Sequence, residues 1–450
     1  ANLGLLGYYK YANFFVDNVN LAVGSTYHLN TIILPLAISF YTFQQIAYVV
    51  DSFKGDVREF NFLRYGLFVS FFPQLIAGPI VHHKEILPQF VKDAGLRVNY
   101  EHLAIGITIF AIGLFKKVVI ADGIAVYATP VFTAVETGMT VSLVEAWGGL
   151  LAYYLQVYFD FSGYSDMAIG LARMFGVRLP LNFNSPYKAR NIIEFWRRWH
   201  ITLGRFITSY LFAPLSVPLF RYTILARHGA LRQFLFSVGI PGMITFFLVG
   251  LWHGAGWNFV IFGLLHGVYF VLTHAWHQFR KYGLKHQDTA PTRWGILVAR
   301  LGTTLALLVS FVFFRAESFD GAIRLLESMV GLQGFALPHT YQGYLNTFWN
   351  LGDWLDTQGV AFGKVILFKG ITEVGFLGLL MLIAWFAPNT QQIMFNYRPA
   401  LEIYPGEISK SRFTWALWRP NLISALGVSC LLIWVLTHQK RVSEFLYFQF

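Results

Sequence analysis

Four histidines lie in a long uncharged stretch of this chain. Between Gln233 and Phe279 there is no Asp, Glu, Lys or Arg for 47 residues, and one of the histidines, His253, lies within LVGLWHGAGWNF. An ionisable side chain at such depth in an apolar segment is costly and marks a functional site. Burial favours the neutral imidazole, which can accept a proton. We therefore predict His253 as a general base.

A second histidine, His200, ends the sequence EFWRRWH. Asn191, followed by Glu194 three residues later, is typical of a helix that starts near residue 192. If that helix continues through residue 211, His200 lies on the same face as Trp196, and Arg198 lies on the opposite face. The sequence therefore predicts that His200 points into the protein, with Glu194 paired to Arg198 on the outside.

The remaining histidines of the uncharged stretch are interpreted as structural. His266 follows His253 by thirteen residues and would lie roughly 140° away from it on an ideal helix. A metal site is not expected because the stretch has no HExxH motif, no cysteine ligand and no carboxylate.

A second polar cluster lies in the sequence FDFSGYSD. It contains Asp160, Ser162 and Asp166, and Gln156 lies one helical turn earlier. Ser162 is not in a G-x-S-x-G elbow, which argues against a serine hydrolase. Acids in an apolar setting need partners. We expect a structural network around the interior, with Arg173 or the basic residues of 188–198 as partners.

The elements that carry these residues are predicted to be membrane-spanning helices. The chain has 450 residues, of which 56% are hydrophobic and 13% charged, and its mean hydropathy is +0.51. Apolar runs of this length fit spanning helices and argue against a β-barrel. The chain begins at Ala1 in mid-pattern, so we expect further helices before it. The predicted spans are 31–50, 64–81, 143–159, 235–252, 257–276, 295–314, 371–387 and 422–437, with a further apolar stretch at 102–121 interrupted by Lys116 and Lys117.

The +11 net charge is concentrated in one block. Residues 176–232 contain nine Lys or Arg and one acid, Glu194, which gives 9 − 1 = +8. Such a block is typical of a cytoplasmic face that contacts anionic membrane lipid. An anionic cytoplasmic donor is an open alternative, whereas the flanking hydrophobic spans argue against nucleic acid.

Several motifs together resemble the membrane-bound O-acyltransferase family, in its bacterial polysaccharide O-acetyltransferase branch. They are SFYTFQQIAYVVD (39–51), FFPQLIAGPIV (71–81), YFDFSGYSDMAIGLARMFG (158–176), NFNSPYKARNIIEFWRRWHITL (182–203) and FFLVGLWHGAGWNFVIFGLLHG (246–267), and the resemblance extends to the final SEFLYFQF. It implies an all-α polytopic fold, a single membrane-embedded domain over 1–450, in which a ring of tilted helices surrounds a central tunnel. The family's catalytic histidine corresponds to His253, and its second histidine, which is Asn in distant relatives, corresponds to His200.

The resemblance also implies the remaining site residues. The family pattern has an arginine after AGPIV, where this chain has His82 and His83. It has an acidic residue after the second histidine, where this chain has TSYLFAPLSVPL (208–219). These two departures weaken the assignment of alginate as the substrate. The expected residues of the tunnel and substrate site are Trp196, Arg197, Trp199, Trp252, Asp160, Ser162, Asp166 and Gln156. The expected donor-binding residues are Lys188, Arg190 and Arg198.

The function that this resemblance implies is acetyl transfer in the bacterial inner membrane. The donor would be a cytoplasmic thioester, acetyl-CoA, with no bound cofactor. The expected partners are a periplasmic acetyltransferase of the SGNH-hydrolase type and the synthase and export complex of a polysaccharide such as alginate or cellulose. Two alternatives stay open: a polytopic transporter or scramblase, and a D-alanyl transferase within the family.

Overall fold

The protein is almost entirely helical wherever its structure is described. The computed structural model describes residues 1–30, 32–35, 37–57, 61–75, 78–92, 98–284, 292–347, 349–363 and 370–438. The final SEFLYFQF, at 443–450, lies outside the described residues. Two short strands, β1 (Ala336–Pro338) and β2 (Ala361–Gly363), pair in parallel.

The helices of the first part of the chain are α1 (Asn2–Leu6), α2 (Ala12–Val23), α3 (Ile38–Phe53), α4 (Phe62–Ser70), α5 (Phe72–Leu75), α6 (His83–Lys92), α7 (Tyr100–Phe115), α8 (Asp122–Glu136) and α9 (Leu143–Met174). The middle part contains α10 (Ile192–Trp196), α11 (Ile201–Ile207), α12 (Ala213–Leu225), α13 (Ala230–Phe234), α14 (Ile240–His253), α15 (Trp257–Gln278) and α16 (Arg293–Arg315). The last part contains α17 (Phe319–Met329), α18 (His339–Asn346), α19 (Leu351–Thr357), α20 (Ile371–Phe386), α21 (Thr390–Ile393) and α22 (Leu422–His438).

Wider turns connect several of these helices without breaking them. The π-helical turns are Gly7–Tyr11 between α1 and α2, Lys116–Ala121 between α7 and α8, Thr208–Phe212 between α11 and α12, Leu235–Gly239 between α13 and α14, and Phe279–Gly283 after α15. Short 3-10 turns cover Pro186–Lys188, Phe395–Tyr397 and Thr414–Ala416. Turns of the π type are rare and are frequent at functional sites.

Helix α9 is the centre of the fold. Ser142 and Glu145 form a reciprocal capping box at its start, and the 32-residue helix then runs buried among its neighbours. It packs closely on α7 because small residues face each other there. A Cβ atom on Gly113 would lie 2.6 Å from the carbonyl oxygen of Gly163, so only glycine permits this approach.

Five helical stretches among the described residues are long and apolar enough to cross a membrane. They are Tyr100–Glu136, Ile201–Leu225, Ala230–His253, Trp257–Gly283 and Arg293–Arg315. The last three confirm the predicted spans near 235–252, 257–276 and 295–314. Helices α20 and α22 cover the predicted spans 371–387 and 422–437, and both are apolar but shorter than 18 residues.

Other predicted spans have different bounds. The run 64–81 is not one helix, because α4 ends at Ser70, Phe71 is extended, and Pro73 follows. The stretch 102–121 is part of one continuous 37-residue helical stretch despite its two lysines. The span 201–225 was not predicted from the sequence.

A single helix from residue 192 to residue 211 was a wrong prediction. Asn191 does cap the start of α10, since its side chain accepts from the Glu194 amide at 2.8 Å. However, α10 ends at Trp196, and α11 begins only after His200, which has a left-handed backbone (φ 44°, ψ 53°). The chain therefore turns between Trp196 and His200.

Candidate active site

His253 is the last residue of α14. Gly254–Gly256 connects it to α15, and the two helices pack closely because a Cβ atom on Gly250 would lie 3.1 Å from the Cα atom of Gly263. The His253 side chain is buried, and its ring centroid lies 4.8 Å from that of Trp252 and 5.0 Å from that of Phe314. The predicted burial of His253 within an apolar segment is confirmed.

A small cavity adjoins His253. Its volume is about 10 Å³, close to the space needed for one water molecule. The lining residues are Val157, Phe195, Trp196, Trp199, His253, Phe262, His266, Phe311 and Phe314. Trp196, Trp199 and His253 were expected at this site from the sequence, whereas the four phenylalanines and His266 were not.

His266 is part of a hydrogen-bonded row in the wall of this cavity. The indole Nε1–H of Trp196 donates to His266 Nδ1 at 3.2 Å. The proton of His266 must therefore be on Nε2, which donates to Ser310 Oγ at 3.1 Å. Ser310 in turn donates to the carbonyl oxygen of Leu307 at 2.8 Å. This hydrogen-bonded row fixes the orientation of the Trp196 ring. The structural role expected for His266 is therefore to hold the wall of the cavity.

His200 lies at the start of α11 and is fully buried. Its Nδ1 atom is 3.0 Å from Oδ1 of Asn182. Because a carbonyl oxygen only accepts, Nδ1 donates, and Nε2 of the neutral ring carries the lone pair. Asn182 also accepts from Thr202 Oγ1 at 2.9 Å and donates to Ser165 Oγ at 3.0 Å. The inward direction predicted for His200 is confirmed, and it results from the turn rather than from a continuous helix.

Trp252 is a neighbour of both histidines. Its ring centroid lies 4.8 Å from that of His253 and 6.4 Å from that of His200. Phe43 stacks on the Trp252 indole, with 5.3 Å between the ring centroids. The two histidines that the sequence singled out thus belong to one aromatic cluster. They lie 53 residues apart along the chain (253 − 200).

The acids of α9 have partners other than those expected. Asp166 pairs with Lys116, with 2.6 Å between Oδ2 and Nζ, and it also accepts from Thr390 Oγ1 at 2.6 Å. Asp160 pairs with Lys117. The prediction of Arg173 or the 188–198 residues as partners was therefore wrong. The two lysines lie in the π-helical turn between α7 and α8, which packs on α9.

The structural network expected around these acids does exist, and it connects α9 with the α7–α8 stretch. Ser162 and Gln156 are buried on the same helix. Gln156 directly precedes Val157, which lines the cavity beside His253. Asp160 and Asp166 therefore hold α9 in place, and Ser162 and Gln156 lie on this helix near Val157.

A basic cluster surrounds Lys188. Its Nζ donates to the carbonyl oxygen of Ala387 at 2.6 Å, and Arg300 Nε donates to the Lys188 carbonyl oxygen at 3.2 Å. Burial, followed by the charges of Arg198, Arg300 and Arg412, lowers the pKa of Lys188 to about 8. The sequence had indicated Lys188 and Arg198, but Arg300 and Arg412 lie more than 100 residues away along the chain and were missed.

The other predicted arginines lie at the edge of this cluster. Arg190 and Arg198 both pair with Glu194, at 3.0 Å and 2.9 Å, which confirms the pairing expected for Glu194 and Arg198. Arg197 is exposed and does not line the cavity, contrary to its expected place in the tunnel. The reason is the turn after Trp196, which carries Arg197 outward.

A larger pocket of about 510 Å³ lies at the opposite end of α16 from the basic cluster. Residues of the Gly254–Gly256 turn, the start of α15 and the end of α16 line it, including Trp257 and Arg315. Phe314 lines both this pocket and the cavity of His253. A helix rises 1.5 Å per residue, so Arg300 and Arg315 are about 22 Å apart along α16 and Phe311 lies between them.

These features belong to a known class of membrane protein. The model of the membrane-bound O-acyltransferase family matches residues 52–312, more than half of the chain, and the chain belongs to this family. The expected fold class, an all-α multi-pass membrane protein, is confirmed.

Individual relatives are similar over most of the chain. The peptidoglycan O-acetyltransferase of Helicobacter pylori is 44% identical over 365 residues, which are 75% of this chain and 65% of that protein. The probable alginate O-acetylase AlgI of Azotobacter vinelandii is 37% identical over 77% of this chain and 64% of its own length. The teichoic acid D-alanyltransferase of Bacillus subtilis is 28% identical over 63% of this chain and 69% of its own length. The chain thus covers slightly less than two thirds of the first two relatives.

Proposed function

We propose that this chain is a membrane O-acetyltransferase that transfers acetyl groups from acetyl-CoA, on the cytoplasmic side of the inner membrane, towards a polysaccharide outside. The observation that carries the proposal is the place of His253. Its imidazole is buried at a small cavity between a basic cluster and a larger pocket. The names of the H. pylori and A. vinelandii relatives, an O-acetyltransferase and a probable O-acetylase, support the reaction class.

His253 acts as the base in this proposal. A hydroxyl oxygen of the acceptor attacks the thioester carbonyl carbon while a ring nitrogen of His253 takes the hydroxyl proton. The carbonyl electron pair moves onto oxygen and returns as the C–S bond breaks. The thiolate leaves and then takes the proton of the imidazolium, so the base is regenerated. A thiolate is a weak enough base to leave without a strong general acid.

The developing oxyanion needs a hydrogen-bond donor. The indole Nε1–H of Trp252 is buried next to His253 and has no hydrogen-bond partner within the described part of the chain. A buried donor without an acceptor lowers the free energy of unfolding by about 1–3 kcal/mol. The presence of such a donor at Trp252 therefore favours a role for its N–H in the reaction. His200 belongs to the same cluster, with 6.4 Å between its ring centroid and that of Trp252.

The charge distribution supports a direction of transfer. The basic cluster at Lys188, Arg198, Arg300 and Arg412 would face the cytoplasm and bind the phosphates of the donor. The acyl group must then travel about 16 Å along α16, from Arg300 to Phe311, to reach the cavity. The narrow pantetheine arm of coenzyme A suits such a path.

The acceptor would enter through the pocket of about 510 Å³ on the other side. Such a pocket can admit a chain end or a loop of a periplasmic protein of the SGNH-hydrolase type, which then modifies the polysaccharide. Peptidoglycan joins alginate and cellulose as a candidate polymer because of the H. pylori relative.

The experiment is transfer of radiolabelled acetyl from acetyl-CoA in membranes that contain the chain and its candidate partner. His253→Ala should reduce labelling of the partner or the polymer by at least a hundredfold. His277→Ala removes an exposed imidazole from α15 and is the matched control, with transfer unchanged. Equal labelling by the wild type and His253→Ala would refute the proposal. Transfer of D-alanine from a carrier protein instead of acetyl would favour the alternative within the family.

A further inference from the structure

Asn389 connects the segment after α20 to the loop that carries Lys188. Its side-chain Nδ2 donates to Asn184 Oδ1 and to Ser185 Oγ, both at 3.0 Å. Ser185 has a left-handed backbone (φ 49°, ψ 60°) and directly precedes the 3-10 turn that ends at Lys188. An uncommon backbone conformation persists only where the surrounding contacts hold it. The Asn389 amide supplies two such contacts, so the position of Lys188 depends on it.

The same two segments meet again at the basic cluster. Lys188 Nζ donates to the carbonyl oxygen of Ala387, two residues before Asn389, at 2.6 Å. Arg198 Nη1 donates to the carbonyl oxygen of Asn184 at 3.1 Å. Two cations of the candidate donor site are thus fixed by contacts with the segments that Asn389 joins. The contact with Ala387 uses one of the three donors of the ammonium group, and the others can meet a phosphate.

Asn389 is itself held by the buried centre of the fold. Its Oδ1 accepts from the Gln392 amide at 2.9 Å and caps α21. Within α21, Thr390 Oγ1 donates to Asp166 Oδ2 at 2.6 Å, and Gln391 Nε2 donates to Asp166 Oδ1 at 3.0 Å. Asp166 belongs to α9, the central helix. A ligand-binding group with such support is ordered before the ligand arrives, which strengthens binding.

We propose that Asn389 is a positioning residue of the donor site, whose amide holds Lys188 and Arg198 in the arrangement that binds the phosphates of acetyl-CoA. The inference rests on the proposed function, since it takes the basic cluster as the donor site. Asn389 acts on donor binding through the loop and takes no part in the transfer at His253. Its loss should therefore weaken the binding of coenzyme A and leave the chemical step unchanged.

The test compares substitutions of Asn389 in the whole chain, purified in detergent, with coenzyme A as the probe. Asn389→Ser keeps a side-chain oxygen that can cap α21 but is too short to reach Asn184 and Ser185. We expect the Kd for coenzyme A to rise on the order of tenfold. Asn389→Ala also removes the cap and should show the same rise with lower thermal stability. Asn421→Ser changes an exposed asparagine that accepts from the Ser424 amide before α22, and this matched control should keep the wild-type Kd.

Steady-state transfer in membranes separates positioning from a general structural defect. In Asn389→Ser the KM for acetyl-CoA should rise on the order of tenfold, with kcat within about twofold of the wild type. Ser185→Ala removes one of the two acceptors and should raise the KM by less.

Two results would overturn the proposal and leave Asn389 as a helix cap only. One is a wild-type Kd for coenzyme A in Asn389→Ser, and the other is a fall in kcat at unchanged KM. A wild type that does not bind coenzyme A would overturn it as well. Failure of the proposed function gives a different result, because wild type and His253→Ala would then transfer equally, whatever their Kd for coenzyme A.

Discussion

The imidazoles of His253 and His266 line one cavity from two different helices. His253 ends α14, whereas His266 lies in the tenth position of α15, which begins at Trp257. Both ring nitrogens of His266 are hydrogen-bonded, to Trp196 and to Ser310. His266 therefore holds the wall of the cavity in place, and His253 is the histidine proposed as the base.

Replacement of His266 should affect stability more than chemistry. His266→Phe fills a similar volume but leaves the partly buried Trp196 indole N–H without its acceptor. We expect the free energy of unfolding to fall by about 1–3 kcal/mol, and acetyl transfer to fall on the order of tenfold, because Trp196 loses its fixed orientation. Thermal unfolding in detergent and transfer in membranes measure the two effects.

Ser310→Ala is the matched control for that variant. It removes the acceptor of His266 Nε2–H but leaves the Trp196 bond, so its effect on transfer should be smaller. Full loss of transfer in a His266→Phe protein with wild-type thermal stability would contradict this account and assign His266 to the chemistry.

The backbone of His200 allows a second test. Its left-handed conformation (φ 44°) is tolerated by Asn but not by β-branched residues. His200→Asn should therefore fold normally and retain transfer within about tenfold of the wild type, since an amide can still donate a hydrogen bond. His200→Val should lower the free energy of unfolding by about 1–2 kcal/mol from backbone strain alone.

Thermal unfolding and transfer assays on both proteins check this prediction. If His200 takes the hydroxyl proton itself, His200→Asn would lose transfer by a hundredfold or more while it remains folded. That outcome would exchange the roles proposed for His200 and His253.

The sequence predicted the fold class and the three spans near 235–252, 257–276 and 295–314 because apolar length is a local property. The uncharged runs around 235–314 became α14, α15 and α16 with bounds within a few residues of those expected. The apolar stretch at 102–121 was not counted among the predicted spans because Lys116 and Lys117 interrupt it. Their partners, Asp160 and Asp166, lie on α9, and no local pattern shows such a long-range pair.

The site was predicted in part for the same reason. His253 and His200 have local signals, an apolar surrounding and a polar turn. The position of His266 was calculated on a helical wheel drawn across Gly254–Gly256, where the helix is interrupted, so the angle had no meaning. Arg300 reaches the basic cluster at Lys188 from a distant part of the chain, through a contact that only the tertiary structure defines.

The pairing of Asp166 with Lys116 should be important for stability. Both side chains are largely buried, so Asp166→Ala leaves an ammonium group without its partner. We expect a loss of about 3–5 kcal/mol in the free energy of unfolding. Asp56→Ala breaks a pair of half-exposed side chains with Lys84 and should cost about 1 kcal/mol or less.

The double variant Lys116→Met with Asp166→Leu separates charge from packing. It removes both charges and should recover most of the stability lost in Asp166→Ala. Denaturant unfolding in detergent compares the three proteins. Equal stability of Asp166→Ala and wild type would mean that this pair does not hold α9 to the α7–α8 stretch.

Donor binding should depend on pH through Lys188. Burial and the neighbouring arginines lower the pKa of Lys188 to about 8, so its charge is present at pH 7 and is lost as the pH rises through 8. The KM for acetyl-CoA should therefore increase above pH 8, with little change in kcat, because a phosphate contact loses its cation. Lys188→Arg keeps its charge and should abolish that increase.

Steady-state kinetics between pH 6.5 and pH 9 on wild type, Lys188→Arg and Lys188→Met check this. Lys188→Met should show the raised KM already at pH 7. Arg232→Met, which removes an exposed cation from the same basic block, is the matched control and should leave the KM unchanged. A KM that rises identically with pH in wild type and Lys188→Arg would show that another group controls donor binding, and it would remove Lys188 from the donor site.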